Sequence, residues 1–307
     1  VKAGGESPGL VPPRTGRRAV LAAPFAAALA AGRPTAPKLS VRVEPVFPGL
    51  GLPAQLERVA AAGYQGFEFG DWRAQDAGRI NAVRKPLGIE CVCLVGNRGV
   101  NPKGMGLCDP AERPGFLAEI AASLDAARRF ETRMLVVLTG YKVPRLSRER
   151  QQASIVEGLK RGAELAARAG VTLIVEPINT RATIEPLHPT GGNHANYFLD
   201  TTAEAVEIIR RVDSPFVRIL YDLYHAQIME GNLTETIRRH IGLFAHIHVA
   251  DVPGRHEPGT GEINFSHVFR AIAGTGYAGY LGMEYVPQSG AMESLAAAKA
   301  LAAQAYR

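Results

Sequence analysis

Eight short runs of apolar, β-branched residues recur along this chain, and longer Ala/Leu-rich amphipathic stretches separate them. The runs are residues 39–47, 66–70, 90–97, 133–140, 172–179, 217–225, 244–251 and 280–287. Strand-length runs alternating with helix-length stretches call for parallel strands, because each helix carries the chain back across the sheet. Eight strands close such a sheet into a barrel. A length of 307 residues, 46% hydrophobic, suffices for one α/β barrel of about 250 residues. The expected fold is therefore a single-domain (β/α)8 TIM barrel over residues 39–307.

Helices are expected at 52–62, 109–130, 148–169, 201–212, 233–241, 266–273 and 291–305, with Gly63 and Gly170 as C-terminal caps. Asp200, Asn232 and Ser266 stand where N-cap oxygens would serve. Long Gly/Pro/polar loops follow the third, fifth and seventh runs, at 98–110, 180–199 and 252–265. All three lie on the C-terminal side of the strands, where barrel active sites are built.

The formal charge of +6 raises the question of an acidic partner. Residues 1–40 answer it, since they hold Lys2, Arg14, Arg17, Arg18, Arg33 and Lys38 against Glu6. The rest of the chain carries 29 basic and 28 acidic residues, which argues against a nucleic-acid surface. Residues 1–38 read as a leader outside the fold. Arg17-Arg18 precedes the Ala-rich run 19–31, too short for a permanent span of about 20 residues, and the segment resembles a twin-arginine export signal. Periplasmic delivery is the expectation, with a cytoplasmic protein as the alternative. Three cysteines, Cys91, Cys93 and Cys108, make no disulfide framework.

Polar groups gather at the ends of the last four runs. Leu173-Ile174-Val175-Glu176, Ile219-Leu220-Tyr221-Asp222, Ile247-His248 and Leu281-Gly282-Met283-Glu284 are each apolar until one carboxylate or imidazole appears. A charge among core-facing strand residues costs several kcal/mol unless it is paired or bound to a metal. A lone case would be read as a buried ion pair. Four on consecutive strands converge on the barrel mouth as a candidate metal site of Glu176, Asp222, His248 and Glu284. Three oxygen donors and one nitrogen suit Mg2+ or Mn2+ and accommodate Co2+, Fe2+ or Zn2+.

Over residues 40–290 the sequence resembles the hydroxypyruvate isomerase family of the xylose-isomerase-like TIM barrels, which include the ketose 3-epimerases. The resemblance is carried by Val175-Glu176-Pro177-Ile178-Asn179, Tyr221-Asp222-Leu223-Tyr224-His225-Ala226-Gln227, residues 246–265 and Gly282-Met283-Glu284-Tyr285. It implies a divalent metal on an α-hydroxy carbonyl substrate, with Glu176 and Glu284 moving a proton through an enediolate as base and acid. His225, Arg255 and Asn179 become candidate substrate contacts, with Arg255 gripping a carboxylate. Glu262 is expected to hold Arg255 or His248, and Glu68 to support the site from behind. The stretch 188–194 reads as a polar lid, and the loop after the seventh run as one that closes over a small molecule.

One position departs from the isomerase pattern. His248 stands where such isomerases often carry Gln, and where the ketose 3-epimerases carry His. Two substrates therefore stay open: hydroxypyruvate, interconverted with 2-hydroxy-3-oxopropanoate, and a ketose or 3-keto-glycoside acted on by an epimerase or lyase. A non-catalytic sugar-binding barrel and a metal endonuclease are the other classes. A homo-oligomer is compatible with any of them.

Overall fold

The computed structural model of the protein describes residues 36–99, 106–184, 186, 187 and 193–307. Eight strands, β1 (Lys38–Arg42), β2 (Gly66–Phe69), β3 (Glu90–Val95), β4 (Met134–Val137), β5 (Thr172–Val175), β6 (Val217–Asp222), β7 (Phe244–Val249) and β8 (Tyr280–Met283), pair in sequence order. All pairs are parallel, and β8 closes on β1 through Leu39 opposite Leu281 and Val41 opposite Met283. The helices are α1 (Val43–Val46), α2 (Leu52–Ala61), α3 (Ala77–Leu87), α4 (Arg113–Phe130), α5 (Arg148–Ala169), α6 (Thr202–Val212), α7 (Leu223–Met229), α8 (Leu233–His240), α9 (Phe265–Gly274) and α10 (Ala291–Gln304).

The core lies between barrel and helices. Phe69 of β2 meets Phe130 of α4 edge to face, with ring centroids 5.2 Å apart. Fully buried side chains such as Phe67, Phe116, Phe130 and Phe269 are each worth about 2 kcal/mol of transfer free energy.

Two β-bulges aim the polar residues inside the barrel. Ile219 faces Phe244 in the β6–β7 ladder, but the next pair is Leu220 with His246, so β7 carries Ala245 as an extra residue. Without it Asp222 would lie opposite Ile247. With it, Asp222 lies opposite His248, and the pair shares the inner face. The second bulge places Glu68 opposite Cys93 rather than Val92.

Several boundaries differ from expectation for local reasons. The run 217–225 stops being a strand at Asp222, whose Oδ1 accepts from the Tyr224 N–H at 2.8 Å and starts α7. The run 39–47 yields four strand residues, 39–42, and then α1. Helix α3 was not expected, since Ile80 is its only buried apolar residue and Pro86 lies inside it; Asp76 caps its start. Thr201 and Asn264, rather than Asp200 and Ser266, cap α6 and α9. Asp200 accepts from Thr180 Oγ1 instead, and Asn232 makes no side-chain cap. Gly170 closes α5 as expected.

The arginine pair and the rest of residues 1–35 lie outside the described residues, as do residues 188–192 of the expected lid. Cys91, Cys93 and Cys108 are free and buried. Among the described residues, no helix is long and apolar enough to cross a membrane.

Candidate active site

Glu176 and Glu284 each follow the last residue of their strand, Asp222 ends β6, and His248 is the penultimate residue of β7. The ladder continues through both glutamates, whose N–H groups donate to Val137 O and Val249 O at 3.2 Å. These backbone bonds hold the side chains at the mouth. Glu176, Asp222 and His248 are buried, Glu284 nearly so, and one donor atom from each lies within 4.8 Å of the others.

The donor set fits a divalent cation. His248 Nε2 is taken by Glu68 at 2.9 Å. The other ring nitrogen, Nδ1, stands 2.9 Å from Glu284 Oε2 and 3.7 Å from Glu176 Oε1, yet forms no hydrogen bond. A buried ring nitrogen without a hydrogen bond, facing several carboxylates, is what a metal ligand looks like.

Proton affinities reflect the crowding. Burial pushes Asp222 up to about 7, with Arg255 opposing and Glu284 adding to the rise. Burial would raise Glu284 too, but His248 and Arg255 hold it well below the usual carboxylate range. Burial works against charge on His248, and Glu284 and Glu68 overcome it, so the ring binds its proton tightly. A divalent ion would compete with these protons for the same atoms.

Glu68 lies beneath the cluster, fully buried. It accepts from Ser40 Oγ, approaches Cys93 Sγ at 3.3 Å, and pairs at 2.9 Å with both His246 Nε2 and His248 Nε2. Burial disfavours its charge, but the two histidines hold its carboxyl well below the usual range. A carboxylate behind a ligating imidazole fixes ring orientation and raises ligand basicity. Gly282 makes room for this layer. A Cβ there would stand 2.4 Å from Glu68 Oε1 and 2.8 Å from His246 Nε2. His246 carried no expected role, although its two-residue spacing from His248 puts both on one strand face.

His225 lies in the first turn of α7, with Nε2 3.5 Å from Asp222 Oδ2. Asn179 Oδ1 accepts from the Ala182 N–H, so its amide Nδ2 donates to His225 Nδ1 at 2.7 Å. This leaves the His225 proton on Nε2, the nitrogen facing the site. Burial, reinforced by Arg255, keeps the ring neutral. Asn179, expected at the substrate, thus acts on His225.

Arg255, expected to grip a substrate carboxylate, is engaged with the site's own. Its Nη2 donates to Glu284 Oε2 at 2.6 Å and to Asp222 Oδ2 at 3.1 Å, with the guanidinium over the Tyr224 ring. Its backbone holds φ of +58°, a costly conformation for a residue with a Cβ, and its carbonyl accepts from the Val286 N–H.

The loop after β7 is stapled rather than free to close. Asp251 is fully buried, and its carboxylate accepts from the N–H groups of Val252, Gly259, Gly261 and Ile263 at 2.9–3.0 Å. Glu257 accepts from the N–H groups of Gln288 and Ser289, and His256 pairs with Val286 O, tying the loop to the chain after β8. Glu262 does not hold Arg255 or His248. It is exposed and accepts from Gln227 Nε2 at 3.1 Å, because Asp251 turns the loop outward before position 262. His194, at the end of the expected lid, is buried against Tyr141 and Tyr197.

A family model for xylose isomerase-like TIM barrels matches residues 56–303. The chain belongs to that family. It is 30% identical over 255 residues to hydroxypyruvate isomerase of Escherichia coli K12, covering 82% of this chain and 94% of that one. It is 32% identical over 186 residues to 2-oxo-tetronate isomerase of Cupriavidus necator, covering 61% and 67%. Among solved structures, an AP endonuclease, family 2, from Brucella melitensis superposes with a TM-score of 0.75 at 29% identity, covering 85% and 97%. The 3-keto-D-glucoside 4-epimerase of E. coli, at 22% identity, shares the fold with a TM-score of 0.72 over 86% and 99%. These relatives mark this xylose isomerase-like barrel as an enzyme of the isomerase type.

Proposed function

We propose that the protein is a divalent-metal-dependent isomerase that interconverts hydroxypyruvate and 2-hydroxy-3-oxopropanoate. The observation that carries this reading is the pair Glu176 and Glu284, three strands apart around the barrel, flanking the bare Nδ1 of His248. Two carboxylates on either side of one small site suit removal of a proton from one carbon and its return to the next. Glu176, Asp222, His248 and Glu284 would hold the ion, which supplies Lewis acidity to the substrate's hydroxyl and carbonyl oxygens.

The residues then divide the work. One glutamate takes the C3 proton of hydroxypyruvate and a proton is delivered to C2, while the other glutamate passes the C3 hydroxyl proton to the C2 oxygen, with roles exchanged in the reverse direction. His225, kept neutral with its proton on Nε2, donates a hydrogen bond to a substrate oxygen as charge builds there. Arg255 balances the carboxylates between turnovers. The stapled 252–264 loop forms a fixed wall that excludes water without a closing motion.

His248 favours a second reading, a ketose or 3-keto-glycoside epimerase, since it resembles the ligand of the ketose 3-epimerases. A panel of hydroxypyruvate, ketohexoses and 3-keto-glucosides, run on metal-reconstituted protein, separates the two. Turnover of hydroxypyruvate well above the sugars is expected; activity confined to sugars would replace the first reading with the second.

A further inference from the structure

Arg42, the last residue of β1, lies opposite Glu68 in the β1–β2 ladder and one step beyond the Val41–Met283 pair, beside Glu284. Register partners in parallel strands project to the same face, so Arg42 enters the barrel interior above Ser40. Its guanidinium is held by design. Nε donates to Glu44 Oε2 at 2.7 Å, and Glu44 Oε1 in turn accepts from the Gly70 N–H. A Cβ on Gly70 would stand 2.5 Å from Arg42 Nη2 and 3.5 Å from Cζ, so the guanidinium occupies space that only glycine leaves.

The outer edge of that guanidinium remains available. Among the described residues, Arg42 Nη1 and Nη2 make no hydrogen bond, and the side chain keeps 18% of its surface open at the mouth. Tying Nε to a carboxylate presents the two Nη groups as a fork, the geometry that matches a carboxylate bidentately. Arg255 is placed differently, with its charge committed to Asp222 and Glu284. An anionic substrate entering among three carboxylates gains most from a cation whose outer donors are not already hydrogen-bonded to them.

We propose that Arg42, set by Glu44 and Gly70, is the residue that receives the substrate's carboxylate and so selects an acid over a neutral sugar. This rests on the hydroxy-oxo acid reading above. Arg42 anchors the end of the substrate away from the reacting carbons, so its loss weakens binding more than it slows the chemistry.

The test uses the full chain loaded with Mn2+, as wild type, Arg42→Gln, Gly70→Ala and Arg255→Gln. Calorimetry measures glycolate against glycolamide, which puts a neutral amide in place of the carboxylate. Steady-state kinetics compare hydroxypyruvate with dihydroxyacetone, its neutral analogue. Loss of a charge-assisted bidentate contact is expected to weaken glycolate binding by about tenfold or more in Arg42→Gln, with glycolamide affinity within about twofold. KM for hydroxypyruvate should rise by about as much while kcat stays within about threefold. Gly70→Ala, which keeps the charge and displaces the fork, should shift glycolate the same way with metal content unchanged. Unchanged glycolate affinity in Arg42→Gln, an equal loss for glycolamide, no glycolate binding by the wild type, or a glycolate loss confined to Arg255→Gln would each overturn the proposal. Arg42-dependent glycolate binding without hydroxypyruvate turnover leaves the anion site standing and removes the isomerase reading instead.

Discussion

His248 gathers most of what this site requires, with one nitrogen on Glu68 and the other toward Glu176 and Glu284. Replacing Glu68 by Gln keeps the shape but removes the charge that orients both His246 and His248. Metal affinity should fall by about 10- to 100-fold, as for other partners behind a ligand, read by titration with Mn2+. Affinity within twofold of wild type would show that Glu68 is only a core residue. The carboxylates among the four candidate ligands were legible in the sequence because each is the lone charged group closing an apolar run, and His248 because it stands at the same depth in the next strand. Glu68 was visible only as an ambiguous residue at a strand end, since its partners lie on β1, β3 and β7. Glu262 misled because the path of a loop depends on bonds to Asp251 that no spacing reveals. Arg42 was invisible for a related reason: its meaning comes from Gly70 and Glu284, distant in sequence.

Strands β6, β7 and β8 build the site through register. The extra residue Ala245 turns His246 and His248 inward beside Asp222, and Gly282 on β8 leaves space for the buried pair they form with Glu68. Gly282→Ala places a methyl group 2.4 Å from a buried carboxylate oxygen. It should destabilise the fold by about 1–3 kcal/mol, as overpacking does, measured by urea unfolding. A variant as stable as wild type would mean that the Glu68 layer is looser than described. Strand number and order were readable from periodicity, but the bulges were not, because they add a residue without disturbing the apolar pattern. Helix α3 escaped for want of a buried stripe, and α7 because its start hides inside an apolar run that Asp222 interrupts.

Across the whole molecule, nearly all the excess positive charge falls before residue 40, and the barrel that follows is close to neutral. We propose that this leader exports the protein. Residues 1–38 fused to a folded fluorescent reporter should deliver it to the periplasm of a bacterium with a twin-arginine translocase, and Arg17→Lys with Arg18→Lys should stop it. A reporter that stays in the cytoplasm with the native leader would refute export. The barrel itself was legible from eight runs, and its C-terminal rim from loop lengths. What the rim accepts is a matter of side-chain placement. Metal-stripped protein is reconstituted with Mn2+ and mixed with hydroxypyruvate, and 2-hydroxy-3-oxopropanoate is followed by NMR. Product is expected to form, chelation to abolish it reversibly, and Glu176→Gln or Glu284→Gln to lower kcat by about 100- to 10,000-fold. Product formation that survives chelation or either substitution, or no product with any divalent ion, would contradict the metal-dependent isomerase reading.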